Sequence, residues 1–314
     1  MIKFLFTCLL SLLFSTTYAN NDPWQVLVDA YKASRNLNYH GVLQAEHMQE
    51  IRSLEITHSK HGEQEYTRIN MLDGAPSEIL SEGSNTFVYG INDNNVVIQK
   101  RNQHRLFPSV LPQTTFNLKQ VYQLNFGKSD RVAGRPTQVV VLAPNDEYRY
   151  FYHFWLDQET SIPLKMIVSD HSNKLIEQTS FTKVNVIKSN DLSWFKPNID
   201  LSKEYVVQEE EDLASSAPRF WKMSTIPLGY KEVSFRVTRI SGPNILNHHL
   251  IFSDGLAYLS LFIQPVPKGQ KPKEGTLAMG NTNIFARYIN GYQIMAVGSV
   301  PKKTVESFAK SISF

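Results

Sequence analysis

The sequence predicts an α+β protein dominated by strands, with a large antiparallel sheet curled toward an open barrel and then a smaller antiparallel sheet closed by one helix. Three observations predict it. Residues Tyr148 to Val186 read as three strands in succession. Ahead of them lies a series of short alternating stretches punctuated by Gly, Asn and Asp turns, and behind them more strands lead to a helical pattern opening at Pro301.

Met1 to Ala19 carries Lys3 as its one charge, an apolar run from Phe4 to Phe14, and Thr17-Tyr18-Ala19 as a small-residue cleavage site. This is the pattern of a secretory signal peptide, cleaved after Ala19. The run is shorter than the roughly 20 apolar residues of a spanning helix, and no later segment is long and apolar enough to span. The single cysteine, Cys8, lies inside this segment, so the exported chain has neither disulfides nor thiol chemistry. Lipidation is not expected, because Cys8 does not follow a full apolar run. Removing 19 residues from 314 leaves enough chain for two domains.

In the first domain, residues 20–202, Asp22-Pro23 supplies a helix start, and Trp24, Leu27, Val28 and Tyr31 continue it at helical spacing to about Ser34. Strands are expected at Tyr39 to Met48, Arg52 to Ser59, Glu65 to Met71, Ile79 to Ser81, Thr86 to Ile91 and Val96 to Lys100. Phe116 to Leu124 reads as a short helix. Along Tyr148 to Leu156, Tyr148, Tyr150, Tyr152, Phe154 and Leu156 fall on one face, with Arg149, Phe151, His153 and Trp155 on the other. Aromatics on both faces predict protein or an apolar ligand against each side.

Charge divides the chain. Residues 20–216 hold 19 Lys and Arg against 25 Asp and Glu, whereas residues 217–314 hold 12 against 4. Between them, the acidic run Glu209 to Asp212 and the small residues up to Pro218 mark residues 203–218 as a linker. In the second domain, residues 219–314, strands are expected at Glu232 to Arg239, Leu250 to Ser253, Ala257 to Gln264, Thr282 to Ile289 and Tyr292 to Val297. The basic stretch Pro267 to Gly275 reads as a loop. The closing helix, Pro301 to Ile312, presents Val305, Phe308, Ala309 and Ile312 on one face.

No G-x-S-x-G, G-x-G-x-x-G, P-loop or H-E-x-x-H pattern is present, so catalysis, cofactors and metal are not expected. His58, His61, His248 and His249 lack metal-ligand spacing and read as solvated. Asp157 and Glu159 read as turn residues rather than an acid–base pair. Two binding features remain. Tyr150, Tyr152, Phe154, Trp155 and Met166 are candidates to line an apolar ligand cavity, with ordinary packed core as the alternative. Arg219, Lys222, Arg236, Arg239, Lys268, Lys271, Lys273 and Arg287 are candidates to meet an anionic partner; export argues against nucleic acid.

The order of Arg131-Val132-Ala133-Gly134-Arg135, Trp155-Leu156-Asp157, Pro163-Leu164, Ile226-Pro227-Leu228-Gly229-Tyr230, Ser253-Asp254-Gly255-Leu256 and Val297-Gly298-Ser299-Val300-Pro301 resembles the RseB/MucB family of periplasmic regulators. The resemblance covers most of residues 65–314. It implies a first domain similar to the lipoprotein carriers LolA and LolB, a half-open barrel with helices. It implies a negative regulator of the envelope stress response that binds the periplasmic part of the anti-sigma factor RseA and shields it from the site-1 protease DegS. Lipopolysaccharide or another acylated ligand is the implied releasing signal, and the second domain carries much of the partner contact. A lipid or lipoprotein carrier using the same barrel is the alternative, and homo-oligomer formation is left open.

Overall fold

The computed structural model describes residues 22–47, 50–83, 85–92, 95–102, 106–189, 191–197, 205–208, 218–239, 245–267 and 269–314, with backbone alone at 47, 91–92, 95–102, 205–208 and 239. The expected signal peptide, Lys268, the Arg239 side chain and most of the expected linker lie outside that description.

Helix α1 (Gln25–Asn36) starts where Asp22 accepts a hydrogen bond from Trp24 N at 3.1 Å, and buries Leu27, Ala30 and Ala33 on one face. Strands β1 (Asn38–His47), β2 (Glu50–His61), β3 (Gln64–Met71), β4 (Ser77–Glu82), β5 (Asn85–Asn92) and β6 (Asn95–Asn102) follow, each antiparallel to the next. The next helix, α2 (Phe116–Val121), is shorter than expected, because Tyr122 turns extended and β7 (Tyr122–Phe126) pairs with β9 (Arg135–Pro144). Tertiary pairing overrides the local helical pattern there. Between them β8 (Asp130–Val132) also joins β9. Strands β10 (Phe151–Asp157), β11 (Pro163–Ser169) and β12 (Leu175–Ile187) form the aromatic meander, and β12 returns to pair with β1.

With β13 (Tyr205–Gln208), the described strands of this first unit make one thirteen-stranded sheet, β13-β6-β5-β4-β3-β2-β1-β12-β11-β10-β9-β7 with β8 on β9. It does not close: β7 ends one side and β13 the other. Strand β13 lies parallel to β6, so part of the stretch expected as a linker extends the large sheet. Tyr39, Leu43, Ile56, Phe154, Leu164 and Phe181 on the inner face bury against α1, Phe107, Leu111 and Leu118.

The second unit has strands β14 (Lys222–Met223), β15 (Lys231–Arg239), β16 (Leu246–Ser253), β17 (Tyr258–Pro265), β18 (Gly275–Met279), β19 (Thr282–Ile289) and β20 (Tyr292–Gly298), then α3 (Lys302–Lys310) and β21 (Ile312–Ser313). Its main sheet runs β15-β16-β17-β20-β19-β18, and β14 pairs with β21. Helix α3 buries Val305, Phe308 and Ala309 on one face of that sheet. It ends two residues before the expected Ile312, which is buried as part of β21 instead. Strand β18 emerges from the end of the basic loop; all five of its residues are exposed, so no alternation marks it.

Candidate functional site

Helix α1 and the segment around Phe107 close over β2 to β5 and leave a cavity of about 260 Å³. Its wall is more polar than an acyl chain would select. Arg35, Glu65, Thr67, Ser81, Thr86 and Ser109 line it beside Tyr31, Tyr39 and Phe107. Arg35 Nη1 donates to Glu65 Oε2 at 2.8 Å, and His58 Nε2 lies 3.3 Å from Glu65 Oε1. His58 is fully buried, stacked on Tyr39 at 4.8 Å, with Nδ1 2.8 Å from Leu37 O. Burial pushes the Glu65 carboxyl up, but the hydrogen bond from His58 and the charge of Arg35 outweigh it and hold its pKa below the ordinary range. Burial likewise raises the Tyr39 phenol, which donates to Ser34 O at 3.1 Å.

Two histidines expected in solvent are therefore structural. His58 is buried because both ring nitrogens find partners, and His248 because Nδ1 accepts from Trp221 Nε1 at 3.1 Å. Burial, and then the nearby Arg219 charge, lowers the pKa of His248. Among the described residues no group of three His, Cys, Asp or Glu is placed to hold a metal ion. Asp157 accepts from Thr160 N at 3.0 Å within its turn and from Arg135 Nε and Nη2 at 3.0 and 2.8 Å.

None of the five aromatic-wall candidates lines this cavity. Tyr152, Phe154 and Met166 are buried in the core, with Tyr152 and Phe154 stacked at 6.3 Å. Tyr150 is buried at the boundary between the two sheets, where its hydroxyl accepts from Asn283 Nδ2 at 3.3 Å. Trp155 points the other way, donating to Asp130 Oδ2 at 2.9 Å, with Lys165 Nζ 4.7 Å over its ring. That outer face of β10 is half-buried rather than covered.

The turn Asn145 to Tyr150 meets the second unit through Arg149, which is 1% exposed. Arg149 Nε donates to Asp254 Oδ2 at 2.9 Å, Nη1 pairs with Asp146, Nη2 donates to Leu228 O, and the guanidinium lies 4.7 Å over the Tyr230 ring. Asp254, itself fully buried, also accepts from Tyr122 OH at 3.2 Å, Leu256 N at 3.0 Å and Ala257 N at 2.9 Å. Desolvation opposes the buried guanidinium, but Asp254, Tyr230 and Asp146 outweigh it and hold its pKa above the ordinary value. Around the pair, Thr304 Oγ1 and Tyr230 OH donate to Tyr148 O at 2.7 and 3.3 Å. Gly229 has φ +85°, and a Cβ there would sit 2.7 Å from Val121 Cγ1, so any other residue would be strained in its backbone and would displace Val121 across the boundary.

The cationic candidates are not gathered into one patch. Arg219 donates to Glu232 Oε2 at 3.0 Å and lies 4.4 Å over the Phe235 ring, while Arg287 donates to Ile312 O at 2.7 Å. Both serve the domain's own packing. Lys222 sits exposed on β14, and Arg236 is on the sheet face away from α3, beside His249. Lys271 and Lys273 are exposed in the loop before β18.

Residues 22–199 match the MucB/RseB N-terminal domain and residues 215–313 the MucB/RseB C-terminal domain. The chain belongs to the MucB/RseB family. The Sigma-E factor regulatory protein RseB of Haemophilus influenzae is 26% identical over 284 residues, covering 90% of this chain and 88% of that protein. The Sigma factor AlgU regulatory protein MucB of Pseudomonas aeruginosa is 26% identical over 251 residues, 78% of this chain and 76% of that one. A crystal structure of MucB in complex with MucA(peri) superposes with a TM-score of 0.75 at 23% identity, covering 93% of this chain and 98% of that one. A crystal structure of MucB gives 0.64 at 24% identity, with 94% and 98% covered. In MucB/RseB terms, Arg149 belongs to the N-terminal domain and Asp254 to the C-terminal one, so their ion pair joins the two halves of the family architecture. The alternation puts Arg149 with Phe151, His153 and Trp155 on one face of an aromatic strand and does not reveal its role; a lone charge in an aromatic run is the available signal.

Proposed function

We propose that this chain is an exported, periplasmic negative regulator of an envelope stress response. It binds the periplasmic part of an RseA- or MucA-type anti-sigma factor and shields it from site-1 proteolysis. The observation that carries this reading is that both MucB/RseB domains are present in order and fixed together through the Arg149–Asp254 pair. A lipid or lipoprotein carrier would need the first domain alone. Relatives named as sigma-factor regulators span most of the chain, and the MucB relative was crystallised with MucA(peri). The chain works by binding, not by catalysis, and lipopolysaccharide or another acylated ligand releases the partner.

The test uses the mature chain and the purified periplasmic domain of its cognate anti-sigma factor. The two should bind in calorimetry, and binding should slow cleavage of the anti-sigma factor by the site-1 protease, with added lipopolysaccharide restoring it. Co-purification of acyl lipid without any binding to the anti-sigma domain would replace this reading with the carrier.

A further inference from the structure

The C-terminal sheet packs α3 on one face, with Trp221, Tyr230 and Ile312 joining the same core. The strand register shows what the other face carries. Ile251, Ser260, Val297, Ile284 and Leu277 stand side by side across β16, β17, β20, β19 and β18. In the adjacent row, Phe262 lies between His249 and Met295. An antiparallel sheet with one wet face ordinarily turns polar residues outward. Here none of the apolar residues in these two rows belongs to the core under α3. Leu277 and Met279 at the β18 edge are 57% and 59% exposed. An outward apolar stripe of this kind marks an interaction surface.

The stripe has a cationic margin. Gln293, on the row beyond Met295, accepts from Lys273 N at 2.7 Å and donates from Nε2 to Lys273 O at 2.7 Å. Those two bonds hold the loop bearing exposed Lys271 and Lys273 along the edge of the apolar rows. The one nearby carboxylate in that loop, Glu274, accepts from Tyr288 N at 3.3 Å. The domain as a whole carries 12 Lys and Arg against 4 Asp and Glu over residues 217–314. An occupant that fits both features is apolar on one side and acidic at its border.

We propose that the open face of the C-terminal sheet docks an acidic, amphipathic segment of the protein partner, with apolar side chains over the Ile251-to-Leu277 stripe and carboxylates at Lys271 and Lys273. The inference rests on the partner-binding reading above and deepens it by naming the surface and the chemistry of what it holds. The lysines steer encounter, and the stripe sets residence.

The full mature chain is assayed for binding to the cognate anti-sigma periplasmic domain at several salt concentrations. The double variant Leu277→Glu/Met279→Glu should weaken binding at least tenfold. Thr276→Glu, exposed on the same strand but facing the α3 side, should leave it within about twofold of wild type. Both variants should keep the wild-type melting curve, which separates a docking defect from loss of the strand. Lys271→Glu/Lys273→Glu should slow association and flatten its salt dependence, since exposed charges act over a Debye length of about 8 Å at physiological ionic strength. If the wild type binds and the double variant binds equally well, this surface is wrong and the partner-binding reading stands. If the wild type does not bind, that reading falls and takes this one with it. A double variant that loses flotation with lipopolysaccharide vesicles while keeping the anti-sigma domain would overturn the proposal in favour of a lipid surface.

Discussion

The two sheets of this protein treat their faces differently. The thirteen-stranded sheet curls over α1 and the Phe107 segment, so its inner face is covered and what space remains is a partly open, polar cavity. The six-stranded sheet lays α3 on one side and turns Ile251, Val297, Ile284 and Leu277 outward on the other, with Leu277 more than half exposed at the edge. A curled sheet suits a small ligand, which needs walls, and an open face suits a protein partner, which needs area. What joins the two is an ion pair buried on both sides, so the domains cannot separate without exposing or orphaning a charge.

That coupling is the first thing to break. Replacing Arg149 by Met leaves the Asp254 carboxylate buried with its hydroxyl and amide donors but no counter-charge. Loss of one member of a buried pair costs about 3–5 kcal/mol. Urea unfolding of the wild type, followed by tryptophan emission and by circular dichroism, should give one coincident transition; the variant should give two. Coincident transitions in the variant would show that other contacts, such as Thr304 to Tyr148 O, suffice to couple the domains.

Once the domains are uncoupled, each core can be weakened separately. Phe308 is fully buried, packed edge-on to Tyr230 at 5.2 Å and tilted against Phe252 at 4.9 Å, while Phe154 stacks on Tyr152 in the other core. Truncating either to Ala should cost about 3–5 kcal/mol. In the Arg149→Met background, Phe308→Ala should shift only the transition reported by the C-terminal sheet, and Phe154→Ala only the other. A shift of both transitions by either change would mean a shared core rather than two cores.

Acid should separate the domains more gently. His248 has a lowered folded-state pKa, so below its ordinary value of 6.5 the unfolded chain takes up more protons and stability falls as pH falls through that region. Protonating Nδ1 also removes the acceptor for Trp221 Nε1. His153 in the larger domain is shifted in the same direction through burial, so the local report is Trp221 emission, which should change as pH falls below the ordinary histidine value and not do so in His248→Asn. Glu65, also lowered, carries its stabilising contribution above its ordinary value of 4.5 and loses it only as pH falls below that, so the α1 cavity should hold to lower pH than the Trp221 contact. Equal midpoints for the two would remove this distinction.

Most of the fold was legible because alternation and turn chemistry are local. Strands β2 to β6 lie within two residues of where Gly62, Gly83 and the Asn-rich turns put them. What escaped was set by partners distant in sequence. Strand β7 forms because β9 comes to pair with it, and β18 has no buried face to pattern its sequence. The Arg149–Asp254 pair spans 105 residues, and nothing in the neighbourhood of either residue names the other. His58 and His248 read as solvent groups because their satisfying partners, Leu37 O, Glu65 and Trp221 Nε1, are visible only after folding. The candidate cavity residues lie on the aromatic strands β10 and β11, whereas the cavity under α1 is walled by Ser and Thr residues together with Tyr31, Tyr39 and Phe107 from segments distant in sequence.

The smallest effect tests which side of β10 a ligand in the larger domain would feel. Trp155 lies on the outer face, with Asp130 on its indole N–H and Lys165 over its ring, while Tyr152 and Phe154 occupy the inner one. Lys165→Met removes a cation–π contact at a partly exposed site, worth about 0.5–1 kcal/mol. In a chain retaining Trp155 as its one tryptophan, that change should shift the emission. Filling the cavity under α1 should not, because the sheet stands between them. Trp24, which packs against the inner core from the α1 end, should respond in the complementary chain. A response of Trp155 to an acylated ligand, with Trp24 silent, would move the binding site to the outer face of the aromatic strands and reverse the assignment of inside and outside on which the comparison of the two sheets depends.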